Sequence, residues 1–144
     1  AVIQFQHQAG DKKYNLMMME KFIGQAAIEG VKILAFPEMC ITGYWHVPKL
    51  SVAGVEALAE PVETGPSVGL IRALAMKHQM LIGAGLIERA PDGRLYNAYV
   101  ACMPDGCGNW MPNRAYTYWV KPLQSQPAGV LPPYTYGAPW YWSA

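Results

Sequence analysis

An apolar run that ends in a proline followed by an acid constrains this chain more than any other feature. From Ile33 to Tyr44 it reads Ile-Leu-Ala-Phe-Pro-Glu-Met-Cys-Ile-Thr-Gly-Tyr. Proline has no backbone N–H, fixes its own φ and pushes the residue before it into extended geometry. The strand therefore stops at Pro37, and Glu38 is presented in a fixed direction at its carboxyl end. Ligand sites of α/β sheets gather at such strand ends. A lone Glu at a strand end is commonly a solvated turn residue, but this one is followed by Thr42, Gly43, Tyr44 and Trp45, residues suited to lining a pocket.

The elements around it read as α/β. Val2 to Gln6 has strand character, Gly10 and Asp11 mark a loop, and Asn15 has the chemistry of a helix cap. Leu16, Met19, Ile23, Ala26 and Ala27 then recur at helical spacing, and Gly30 suits the position just past the helix end. Val31 to Phe36 follows as a buried strand, which makes the first two strands parallel neighbours. An irregular stretch from Trp45 to Thr64 holds a short helical piece at Val55 to Glu60. Gly65-Pro66-Ser67 opens a second long helix, whose face Val68, Ile71, Leu74, Ala75 continues to His78, a helix-end residue. Met80 to Glu88 and Leu95 to Met103 form an antiparallel pair across the Pro91-Asp92-Gly93 turn.

Composition narrows the function. The net charge of +1 and the absence of any basic run argue against a nucleic-acid partner. No apolar run is long enough to span a bilayer, and with the chain opening at Ala1 directly into a strand-like segment no signal peptide is expected. Three cysteines at irregular spacing (Cys40, Cys102, Cys107) fit a reducing cytoplasm rather than a disulfide framework. His7, His46 and His78 are scattered, so no metal site is expected. Gly83-Ala84-Gly85 falls short of a dinucleotide fingerprint, because Glu88 stands where the third glycine belongs and a strand continues past it. Close approach of a helix or neighbouring backbone is the better account of those glycines.

Taken in register, several segments carry one resemblance. They are the opening strand, the helix start at Asn15-Leu16, Phe36 through Tyr44, Gly65-Pro66 before a helix, Gly83 through Glu88, and Leu95-Tyr96-Asn97-Ala98. Residues 1–106 resemble the N-terminal half of a carbon–nitrogen hydrolase of the nitrilase superfamily. The resemblance implies an αββα sandwich, here incomplete, and hydrolysis of nitrile or amide bonds through a Glu–Lys–Cys triad without a cofactor. It makes Glu38 the general base and sets Tyr44 near the substrate. It further implies a small nitrile or amide substrate and self-association of intact members; the cysteine usage adds the expectation of a cytoplasmic location.

Past Gly106 the pattern is lost. Residues 107–144 contain no Asp or Glu, yet hold four of the five tryptophans and half of the prolines. The family's lysine segment is not recognisable there. Lys121 is the only lysine left, but its neighbours do not fit, and neither Cys102 nor Cys107 has the context of the family nucleophile. Cys-Gly-Asn-Trp-Met-Pro at 107–112, read one frame over, can encode Arg-(Lys/Gln/Glu)-Leu-Asp-Ala, so the tail reads as irregular or frame-shifted. The sequence thus points to a truncated or inactive hydrolase copy. The alternative is a non-catalytic half-sandwich that serves as an interaction module.

Overall fold

The computed structural model describes residues 1–105 and 121–122. In chain order the elements are α1 (Lys12–Ile28), β1 (Ile33–Ala35), α2 (Val52–Leu58), α3 (Pro66–His78), β2 (Leu81–Arg89), β3 (Leu95–Cys102) and β4 (Lys121–Pro122). The strands form one sheet in the order β1-β2-β3-β4, parallel between β1 and β2 and antiparallel thereafter.

Three local expectations are corrected. The opening strand contracts to a single parallel bridge, Val2 to Ala35, tied by Ile3 N–H to Ala35 O at 2.9 Å. Asn15 does not cap α1. Asp11 does, its carboxylate accepting from Tyr14 N–H at 2.9 Å. Asn15 is fully buried within α1, where Nδ2 donates to Gln8 O and Ile41 O and Oδ1 accepts from Gln8 N–H. It thereby fastens both the amino-terminal segment and the end of the Glu38 turn to one helix. The short helix begins three residues earlier than expected because Ser51 caps it, accepting from Gly54 N–H.

Alternation along β2 and β3 sorts the side chains onto two faces. Ile82, Ala84, Leu86, Ala98, Val100 and Cys102 point toward α1 and α3, where Met19, Ile23, Val68, Ile71 and Leu74 complete the main core. Ile87 and Leu95 point the other way, into a smaller cluster with Met39 and Ala59 against which Tyr44 packs. Gly83, Gly85, Asn97 and Tyr99 share this second face.

Along one edge β2 has three successive neighbours. Its first residues pair with β1, and Phe36 N–H still reaches Gly83 O at 2.9 Å. The chain then turns at Pro37, crosses the face of β2 and comes back with Ile41 N–H on Gly85 O at 3.0 Å. Glu60 N–H takes the next carbonyl, that of Ile87, at 3.1 Å. The crossing needs Gly85. A Cβ there would strike Met39 N and sit 3.1 Å from Glu38 Cα. Gly83 is required by a side chain instead, since its Cβ would lie 2.7 Å from the Tyr99 hydroxyl.

Two carboxylates in this region have structural parts. Glu60 is buried, and its Oε2 accepts from Ser67 N–H at 2.9 Å in the first turn of α3. Its Oε1 accepts from Ser67 Oγ at 2.7 Å and pairs with Lys12 Nζ at 2.6 Å. The helix cap, Gly65, has no side chain to satisfy that N–H, so Glu60 serves as the cap and also favours the positive end of the helix dipole. Burial pushes its carboxyl up, but Lys12 and Ser67 together outweigh that and hold it below the ordinary 4.5. Glu88 is buried too; burial, then the charge of Glu63, raises its carboxyl above 4.5.

Two outcomes follow from these contacts. Gly85→Ala should cost about 3 kcal/mol, read as a lowered urea midpoint, because the Met39 backbone cannot yield as a flexible side chain would. The two acids should give opposite pH slopes in urea titrations. The stability Glu60 contributes is present above 4.5 and lost as pH falls through its lowered folded value, so Glu60→Gln should flatten the acid-side loss. Glu88 contributes stability below 4.5 that is lost as pH rises through its raised folded value, so Glu88→Gln should relieve that loss. Slopes of the same sign would contradict these assignments.

Candidate active site

Glu38 sits at the crossing, on the sheet face opposite α1 and α3, and it is exposed. Its backbone is bounded on both sides. Pro37 precedes it, and Met39 follows with φ of 50°, a conformation uncommon for a non-glycine residue. Met39 is buried in the smaller cluster, so packing holds the unfavourable geometry in place. The Met39 carbonyl accepts from Gly43 N–H at 2.7 Å, closing the turn.

The Glu38 carboxylate is held as well. Asn97, on β3, donates from Nδ2 to Glu38 Oε1. Two residues along the same face, the Tyr99 hydroxyl donates to Phe36 O at 2.8 Å. Burial pushes that phenol up to about 12, with the nearby Cys40 adding to the shift, so Tyr99 stays protonated and acts as a donor. Asn97 and Tyr99 thus grip the segment on either side of Pro37, one by the acid's side chain and one by the backbone.

Tyr44 closes the far end of the turn. Its ring meets Trp45 edge-on at 5.2 Å, and its backbone N–H donates to His7 Nε2 at 3.1 Å. An accepting Nε2 fixes the proton on Nδ1. Burial, then the neighbouring His46, lowers the His7 pKa and favours this neutral state. Tyr44 packs against the smaller cluster, on the same side of the sheet as Glu38.

The thiols are not. Cys40, two residues from Glu38, points into the helix-side core with its Sγ 3.9 Å from Met19 Sδ. Burial pushes its thiol up to about 12. Cys102 lies in the same core, and burial pushes its thiol up to about 11. Neither has the partly exposed, electropositive setting of a nucleophilic thiolate. Cys107, like most of residues 107–144, lies outside the described residues, and so does the expectation of an irregular or frame-shifted tail.

Two positions gain importance from the structure. Asn97 belongs to a recognisable segment, yet no role was legible for it in the sequence, although an Asn inside a strand was itself a signal. Lys121 has unfamiliar neighbours, but β4 brings it into register directly opposite Asn97. Among the described residues no three ligating side chains gather to hold a metal ion, and no helix is long and apolar enough to cross a membrane.

Comparison with known proteins agrees with this architecture. The profile of the Carbon-nitrogen hydrolase family matches residues 1–129, a span that takes in Lys121. Hydrolase MT0498 of Mycobacterium tuberculosis (strain CDC 1551 / Oshkosh) is 33% identical over 96 residues, which are 65% of this chain and 31% of that protein. The crystal structure of an N-terminal amidase aligns with a TM-score of 0.62 at 23% identity, over 74% of this chain and 25% of the amidase. Nit3 of Saccharomyces cerevisiae, a member of branch 10 of the nitrilase superfamily, aligns with a TM-score of 0.60 at 25% identity, over 74% of this chain and 40% of Nit3. The chain spans less than half the length of each of these relatives, and the aligned part is the nitrilase-type half-sandwich described above. With the family profile covering most of its residues, this chain belongs to the carbon-nitrogen hydrolase family.

Proposed function

We propose that this chain supplies the acid-bearing half of an amide- or nitrile-hydrolysing site, with Glu38 as the general base. The observation that carries the reading is the rigid crossing over Gly85, which fixes the Glu38 backbone on the sheet face opposite α1 and α3, where Asn97 meets its carboxylate. A base so positioned takes the proton of a cysteine thiol, and the sulfur attacks the carbon of the nitrile or amide. From an amide, ammonia or an amine leaves with the proton the base took up. From a nitrile, water first adds to the thioimidate and ammonia then leaves. In both cases a further water releases the acid from the thioester.

Charge on the tetrahedral intermediate calls for a cation on the same face. The register of β4 makes Lys121 the candidate for that part, since its backbone pairs with Asn97, whose side chain meets Glu38. Tyr44, packed against the smaller cluster, is suited to line the substrate pocket. The thiol is neither Cys40 nor Cys102. Both are buried on the helix side, and their raised pKa values leave little thiolate at neutral pH. Cys107 lacks the family's context in the sequence. We therefore read residues 1–106, with the Lys121 strand beside them, as part of the hydrolase domain, and the chain by itself as a truncated or inactive copy.

Losing a member of a catalytic unit typically costs on the order of 10⁴-fold in rate. Ammonia release from simple nitriles and primary amides by this chain should accordingly fall about 10⁴-fold or more below an intact member of the family. The half-site should still bind. In amide NMR spectra, a primary amide added at high concentration should move the signals of Glu38, Tyr44, Asn97 and Tyr99, and Glu38→Gln should diminish those shifts. Rapid ammonia release lost in Glu38→Gln would contradict the missing nucleophile. Shifts scattered away from this face would contradict the site.

A further inference from the structure

We propose that Asn97 is a positioning residue for the acid: its Nδ2 holds Oε1 of Glu38 and so leaves Oε2 as the oxygen that takes the nucleophile's proton. This rests on reading Glu38 as the base, and it adds a division of labour between the two carboxylate oxygens. Three observations support it.

The residue type is the first. Asparagine is disfavoured inside strands, yet Asn97 stands well within β3, between the buried Leu95 and the half-buried Tyr99 on its own face. Its cross-strand partner, Ile87, is fully buried. On this half-buried face the carboxylate of Glu38 supplies the Asn97 amide with a hydrogen-bond partner. An ionised carboxylate only accepts, which orients the amide with Nδ2 toward Glu38.

The second is that the backbone restraints stop short of the carboxylate. Pro37, Met39 and Gly85 fix where Glu38 leaves the chain, but an exposed glutamate keeps its own rotamer freedom. A donor at Oε1 removes it. Third, Asn97 is the register partner of Lys121, so the acid's side chain and the lysine's strand meet at one residue of β3. Positioning errors of about 1 Å can cost about 10²-fold in rate, so a residue that fixes the carboxylate matters without touching substrate.

The test is made by NMR on the full chain without ligand. In the wild type, three-bond couplings should report a single side-chain rotamer for Glu38. In Asn97→Leu, which keeps a similar volume but removes the donor, those couplings should collapse to averaged values while backbone amide signals of the helices stay in place. Averaged couplings in the wild type, or a single rotamer retained in Asn97→Leu, would overturn the proposal. If that variant does not fold, a pH titration of the wild type decides. The Asn97 side-chain amide and the Glu38 side-chain carboxyl carbon should move with one shared midpoint, and an amide that does not follow the carboxyl would overturn it. Because no substrate is present, these readouts fail or hold independently of the amide-binding experiment.

Discussion

The backbone of residues 36–41 can lie against β2 because nothing projects from Gly85 to hold it off. Much else depends on that contact. It lets the chain leave the edge of the sheet at Pro37 and rejoin it at Ile41, so a single strand edge serves β1, the turn and Glu60 in succession. The turn in between buries Met39 on one face and Cys40 on the other and leaves Glu38 exposed. A substituent at position 85 would lift the whole segment, and the acid, its neighbours on β3 and the Tyr44 end of the turn would separate.

Three glutamates illustrate how surroundings assign roles to one side chain. Glu60 is buried but fully partnered, and it joins α1 to the start of α3. Glu88 is buried beside another acid, and its carboxyl is raised. Glu38 is exposed, with its backbone fixed and one oxygen held, which suits a group that must exchange a proton. The cysteines show the same rule in reverse. Cys40 is close to Glu38 in sequence, but the turn at Met39 sends its sulfur into the core, where the thiol is inert.

Much of this was legible in the residues. Pro37 after an apolar run marked the strand end, Gly65-Pro66 marked the start of α3, and the turn at Pro91-Asp92-Gly93 gave the β2–β3 hairpin. The pair Gly83 and Gly85 was readable as close packing rather than phosphate binding. Other features were set by tertiary contacts that local patterns do not encode. Asn15 looked like a cap because its type favours caps, but the amide was needed further along, between Gln8 and Ile41. The opening strand reads as a full strand, yet only Val2 forms a bridge, since β1 itself is three residues long. Lys121 could not be placed from its neighbours. Its position follows from register across β3, which is a property of pairing and not of local sequence.

Whether the turn is clamped to β2 as firmly as a strand is tested most directly by amide hydrogen exchange at Ile41. Its N–H is bonded to Gly85 O within the crossing. If the clamp is as described, this amide exchanges as slowly as those in the centre of β2, close to the limit set by global unfolding. Exchange as rapid as that of an unprotected amide would mean that the turn opens freely, and that Glu38 is not held as the proposed chemistry requires.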